Sequence, residues 1–208
     1  LGLNLTQPLE TYFERNKGAL AAYGPSIEHK NYDWAINSND RLPGWNFLQF
    51  SKPPIPGVNF GMTEREPSGK NSSDEVKTKR FALMYHPNTA RTFLGALIVT
   101  ADPAHRKAFE AISAARPQGD RSYLADGTFV QWVKPGSDLA KNFSDKKFPL
   151  QAFVVGVSSM EKFQAAAKPE GSIDFNRKKA AHIKLVPESW DILAVELNTA
   201  EDLLPLGP

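Results

Sequence analysis

One order of local signals occurs twice in the second half of this sequence, and few folds accommodate such a repetition. FLGALIVT, residues 93 to 100, is an apolar run of strand length. Asp102-Pro103 follows it as a helix N-cap with proline at the first helical position. Phe109, Ile112 and several alanines then give residues 103 to 115 an apolar stripe at helical spacing. In RSYLADGTFVQWVK, Asp126-Gly127 separates two alternating runs, the pattern of a tight hairpin with positive φ at both turn positions. The order restarts at FPLQAFVVGV, 148 to 157, where Ser158 or Ser159 caps a helix, SMEKFQAAAK, with Met160 and Phe163 on one face. SIDFN, AAHIKLVP and WDILAVEL supply three further strands. Two tandem βαββ(β) units of roughly 50 residues predict paired sheets that curve into a cup, where ligands normally sit.

The first 80 residues read differently. Pro43, Pro53, Pro54, Pro56 and Pro67 leave room only for short extended pieces, at YDWAI, 32 to 36, and WNFLQF, 45 to 50. Residues 64 to 79 read as a boundary or a long loop. In a chain of 208 residues with 41% hydrophobic content, a buried core is affordable. The 25 basic and 23 acidic residues leave a net charge of +2 with no single-sign field to recruit nucleic acid or a membrane. KNSSDEVKTKR, 70 to 80, reads as a solvated loop. Cysteine is absent, which removes disulfides, thiolate nucleophiles and Cys-based metal sites. Together with the lack of a signal segment or membrane span, this makes a cytoplasmic protein the expectation. GxGxxG after a strand, HExxH and GxSxG are all missing, so nucleotide-binding, zincin and serine-hydrolase readings have no local support.

The HPN at 86 to 88, the strand that follows, the Asp-Pro-capped helix, the DG hairpin and the closing strand ending in VEL together resemble the glyoxalase-like members of the vicinal oxygen chelate superfamily. That resemblance implies an α+β fold of paired βαβββ modules forming a cupped mixed sheet over residues 86 to 200. It extends loosely over 1 to 60, where LETYFERN resembles the strand closing a first module and YDWAI the strand opening the next. On that alignment residues 1 to 80 form a partial first module, whose opening strand and helix are lost to trimming or supplied by another chain. Residues 201 to 208 are a tail.

The family implies a small organic molecule in the cup, lyase, isomerase or ring-cleaving dioxygenase chemistry, and a divalent ion held by side chains from opening and closing strands. Gly95 and Ala152 fall at the opening-strand ligand positions and cannot bind metal. Gln131 and Glu196 fall at the closing-strand positions, and Glu14 in TYFERN is comparable. Two donors of four disfavour a metal. They raise the alternative of a metal-free, non-catalytic binding or assembly module, working as a homodimer or with a second chain that completes the first module.

Individual residues are read the same way. Glu196, amid the apolar LAVEL, is either a solvent-face carboxylate or a cup-facing base with its pKa raised by desolvation. Alternation groups it with Ala194 and apart from Leu193 and Val195. His86 is either a weak catalytic candidate or part of a turn leading into strand 93 to 100, since Pro87 follows it. Gln131, Trp132, Phe153 and His182 are candidate substrate contacts, with core packing as the competing role for the aromatic rings. His105 reads as a surface residue.

Overall fold

A computed structural model of the chain describes residues 2–5, 7–30, 35–37, 40–41, 45–65 and 89–197. The chain divides into two compact units, Leu1–Leu83 and Met84–Pro208. Among the described residues, no helix is long and apolar enough to cross a membrane.

The first unit contains strand β1 (Gly2–Asn4), helix α1 (Leu9–Leu20), β2 (Pro25–Lys30), a two-stranded hairpin of β3 (Ala35–Asn37) and β4 (Asp40–Arg41), β5 (Trp45–Phe50) and β6 (Gly61–Arg65). Its sheet has the order β1-β6-β5-β2, with β1 parallel to β6 and the other pairs antiparallel. The sequence places LETYFERN on a strand, whereas the structure makes it the first two turns of α1. Leu9, Tyr12 and Leu20 are its buried residues, spaced for one helical face, and Pro8 immediately precedes the first turn. The opening strand and helix expected to be missing are therefore present as β1 and α1. Of YDWAI, the described residues 35 and 36 belong to the small hairpin.

The second unit carries the expected pair of modules. The first runs β7 (Ala90–Val99), α2 (Pro103–Ser113), β8 (Arg116–Gln118), β9 (Arg121–Tyr123) and β10 (Phe129–Val133). A linker with the short helix α3 (Asp138–Lys141) leads to β11 (Leu150–Val157), α4 (Met160–Ala167), β12 (Gly171–Phe175), β13 (Lys178–Ile183) and β14 (Asp191–Glu196). In each module the first strand lies parallel to the last, and β7 and β11 join the halves antiparallel. The result is one sheet of eight strands in the order β12-β13-β14-β11-β7-β10-β9-β8. β8 is a strand the sequence pattern did not announce, because RPQ is short and fully exposed.

Local chemistry sets the elements. Asp102 accepts a hydrogen bond from the Ala104 amide at 2.8 Å, with Pro103 inside the cap as expected. Ser159 rather than Ser158 caps α4, accepting from the Lys162 amide. The DG hairpin differs in type: only Gly127 has positive φ, at +84°. Leu124 and Thr128 close a three-residue loop, and Asp126 accepts from both the amide and hydroxyl of Thr128.

The sheet is strongly curved. Phe129 on β10 and Phe175 on β12 stack with ring centroids 6.5 Å apart, although five inter-strand steps of about 4.8 Å would hold their strands more than 20 Å apart in a flat sheet. The inner face of this cup is packed: Leu97, Phe129, Val133, Phe143, Val154, Phe175, Leu193 and Val195 belong to one buried cluster drawn from both modules and the linker. The outer face carries the helices, with Phe163 of α4 on Val157, Ala181 and Ala194, and Phe109 of α2 edge-on to Trp132.

Candidate functional site

Away from the irregularities in the β7–β11 pairing, the register assigns the sheet residues of the second unit to one face or the other. Inner-face cross-strand partners include Gly95 with Phe129, Leu97 with Gln131, Ala152 with Asp191, Val154 with Leu193, and Gln131 with Arg121. Outer-face partners include Val157 with Glu196 and Val130 with Ser122. Since successive side chains point to opposite faces, Gln131 and Trp132 cannot share the cup.

Glu196 lies on the outer face. Its Oε1 accepts a 2.8 Å hydrogen bond from the Met160 amide, so the carboxylate satisfies an otherwise free N–H at the start of α4 and meets the positive end of the helix. The first unit repeats the device, because Glu64 near the end of its own closing strand accepts from the Leu9 amide at 2.9 Å. Glu196 and Gln131 therefore stand on opposite sides of the sheet and do not converge. Trp132 is also on the outer face, where its Nε1 donates to Ser122 Oγ at 2.7 Å; Ser122 donates in turn to Glu110. Phe153 lies there too, packed edge-on between Phe93 and Trp190 at 5.5 and 5.0 Å. Glu14 sits on the exposed side of α1, 3.6 Å from Lys17. His86 lies outside the described residues. His105 is less superficial than its sequence suggests: its side chain is 20% exposed, and Nδ1 lies 2.8 Å from Thr100 Oγ1.

Gln131 and His182 do face the cup. Gln131 is 5% exposed and held at both ends, donating to Asp120 Oδ2 at 3.1 Å and accepting from Arg121 Nε at 3.3 Å. His182 lies 2.7 Å from Asp191 through Nε2, with the Phe143 ring against it. Asp191 Oδ1 accepts from the Leu185 amide at 2.7 Å and pairs with Lys146 at 2.5 Å. The side chains of Lys146 and Asp191 are wholly buried, and Lys146 Nζ also donates to the Leu185 and Val186 carbonyls. Burial pushes the Asp191 carboxyl upward, but the Leu185 amide, the Lys146 ammonium and the His182 ring outweigh it, and the group titrates below the ordinary Asp range. Every member of this cluster is satisfied.

The residue that the sequence reading missed is Arg121. Its guanidinium lies 4.4 Å from the centroid of Phe129 and 5.9 Å from that of Phe175, where the rolled sheet brings its two modules together. Nε donates to Gln131 and Nη1 to the Tyr123 hydroxyl at 3.1 Å. The signal was present in RSYLADGTFVQW, since the hairpin sets Arg121 opposite Gln131 and Tyr123 opposite Phe129. What the hairpin alone could not supply is Phe175, which arrives from the other module.

The inner face does not fit a divalent ion. Gly95 and Ala152 carry no donor, Gln131 is committed to Asp120 and Arg121, and Glu196 is on the other side. Among the described residues, no three His, Asp or Glu side chains are close enough together to share a metal. A cavity lies elsewhere, at the N-terminal end of α2. It is an open groove of about 600 Å³ lined by Thr100, Asp102, Arg106, Asp120, Trp132 and Lys134 among others.

No protein-family model matches the sequence, and neither does any curated protein. Solved structures do resemble it. Homoprotocatechuate 2,3-dioxygenase from Arthrobacter globiformis superposes with a TM-score of 0.53 at 12% identity, over 95% of this chain and 61% of that one. A hypothetical protein from Staphylococcus aureus gives 0.50 at 7% identity, over 93% and 64%. The chain thus spans less than two thirds of either. A methylmalonyl-CoA epimerase from Mycobacterium tuberculosis gives 0.42 at 14% identity, over 57% of this chain and 96% of that one. At such identities the likeness of the first two shows the fold alone, and it agrees with the strand order found here: this chain folds into paired modules that resemble those of the glyoxalase-like, vicinal oxygen chelate proteins.

Proposed function

We propose that the second unit holds a small organic molecule at the mouth of its cup, with protein side chains rather than a metal ion as the anchor. The observation that carries this reading is the group of Arg121, Tyr123, Gln131, Phe129 and Phe175, where a half-buried cation and flat apolar rings meet between the two modules. The packed cluster below it leaves a ligand the mouth rather than the floor. Lyase, isomerase or ring-cleaving chemistry anchored on a metal finds no donor set on this face, so the reading is of binding. The test is a thermal-shift screen of small organic compounds on the whole chain, followed by hydrogen-exchange mapping of any hit. Protection confined to residues 116 to 131 and 171 to 182 is the expected result. Protection only around the groove beside α2, or no stabilising compound at all, would reject it.

A second reading, assembly, has its own support. In the second unit the opening strands β7 and β11 pair antiparallel. In the first unit the opening strand β1 is an edge strand among the described residues, and unpaired edges invite another strand. A second copy or another chain pairing there would complete a two-module sheet. Leu3→Pro would then lower the oligomeric state seen by light scattering, and an unchanged state would reject this reading.

A further inference from the structure

We infer that the ligand at the mouth of the cup is an organic carboxylate, and that Arg121 receives it. This rests on the small-molecule reading above and assigns its chemical class. A guanidinium remains charged at any physiological pH, and removing it from water is costly unless an anion or a full set of acceptors accompanies it. Arg121 is half-buried on the inner face, yet among the described residues no carboxylate lies within ion-pair distance of it. Its neighbours are neutral: the Gln131 amide oxygen, the Tyr123 hydroxyl and the rings of Phe129 and Phe175.

The carboxylate next in the chain, Asp120, is kept from Arg121 by an intermediary. Asp120 accepts from Gln131 Nε2, which turns the Gln131 carbonyl oxygen toward the guanidinium. Arg121 is thus oriented by dipoles and flanked by rings without being neutralised. Its Nη2 makes no hydrogen bond among the described residues, and Nη1 has one proton beyond that given to Tyr123. Those two donors form the fork that a planar carboxylate accepts in bidentate fashion. Arg116, exposed on the neighbouring strand and on the same face, adds positive charge at the rim. Phe129 and Phe175 are themselves buried, and they fix the plane of the guanidinium from below.

Benzoate, benzamide and acetate are suitable probes, titrated into the whole chain by calorimetry and by NMR of the Arg121 Nε–H. Benzoate should bind and shift that resonance, while benzamide, of the same shape without the charge, should bind at least tenfold more weakly. Arg121→Met should weaken benzoate at least tenfold when measured at a temperature where the ligand-free variant is fully folded, its melting curve being lowered by the lost bonds to Gln131 and Tyr123. Arg121→Lys, which keeps the charge and loses the fork, should fall between, and it serves as the variant if the Met form fails to fold. Equal binding of benzoate and benzamide, or equal binding of benzoate by wild type and Arg121→Met, overturns the assignment to a carboxylate and leaves the small-molecule reading intact. If no probe binds and no compound in the wider screen does, both fall.

Discussion

Gly95 stands where the family resemblance places a metal ligand, and the structure gives a physical reason why a side chain is unwelcome there. A Cβ built on Gly95 would lie 2.3 Å from the Phe129 carbonyl oxygen and 2.7 Å from Cδ2 of its ring. Relief requires an opening of roughly 1 Å, and overpacking of this kind costs about 1–3 kcal/mol. The upper end, about 3 kcal/mol, is expected for Gly95→Ala, because the first obstacle is backbone and the two strands are hydrogen-bonded neighbours. Two controls separate this from a general glycine effect. Gly156→Ala meets mainly the end of the Leu197 side chain, at 2.4 Å, which can swing aside; about 1 kcal/mol is expected. Gly171→Ala meets nothing within 4 Å and should stay within about 0.5 kcal/mol of wild type. Urea denaturation followed by tryptophan fluorescence measures all three, with an unchanged slope showing that the denatured state is comparable. In a Phe129→Ala background, itself less stable than wild type, Gly95→Ala should cost less than it does alone but not vanish, since the carbonyl remains. Gly95→Ala as stable as wild type would refute the packing argument, and with it the claim that this position is closed to a metal ligand.

Further outcomes follow from other sites. Glu196→Ala should destabilise the second unit by about 1 kcal/mol through loss of the cap on α4 and leave probe binding at Arg121 unchanged; loss of binding without loss of stability would return Glu196 to the site. Lys146→Met leaves Asp191 buried beside His182 with its main cation gone, and about 3–5 kcal/mol of destabilisation is expected by thermal or urea unfolding. Because the Asp191 carboxyl titrates below its ordinary range in the folded state, its contribution is present above that range and is lost as pH falls through the lowered value. Wild type should therefore lose more stability on acidification than an Asp191→Asn variant, and parallel acid profiles would argue against the network. Tyr12 behaves oppositely, because burial pushes its phenol up to about 12. The unfolded chain releases that proton near pH 10, so stability should fall between about pH 10 and 12, by about 3 kcal/mol at most, and Tyr12→Phe should remove that part of the alkaline loss.

The repeated strand, capped helix and strand were legible because each signal is local: Asp102-Pro103 and Ser159 are caps wherever they occur, and the apolar runs 93 to 100 and 148 to 157 have strand length. The first unit was harder. Its helix carries few apolar residues, and TYFERN offers a plausible strand once a family alignment asks for one; the spacing of Leu9, Tyr12 and Leu20 was the better guide. Faces within the second unit were legible in part. Alternation correctly separated Glu196 from Val195 and Leu193, yet which side was the cup depended on where α4 packs. The same rule, applied between neighbours, would have shown that Gln131 and Trp132 cannot both face a ligand. Phe175 against Arg121 and Lys146 against Asp191 were beyond reach, since each contact joins segments whose meeting depends on the curl of the whole sheet or on the path of the linker.

The central claim is that the cup keeps the family's frame without its metal anchor. Elemental analysis of the whole protein, purified without chelator or nickel affinity resin, tests it most directly when followed by titration with zinc, manganese and iron(II). The account predicts far less than one equivalent of any transition metal and no added ion that raises the melting temperature of the second unit. One equivalent of a divalent ion that is lost on Gln131→Ala would contradict it.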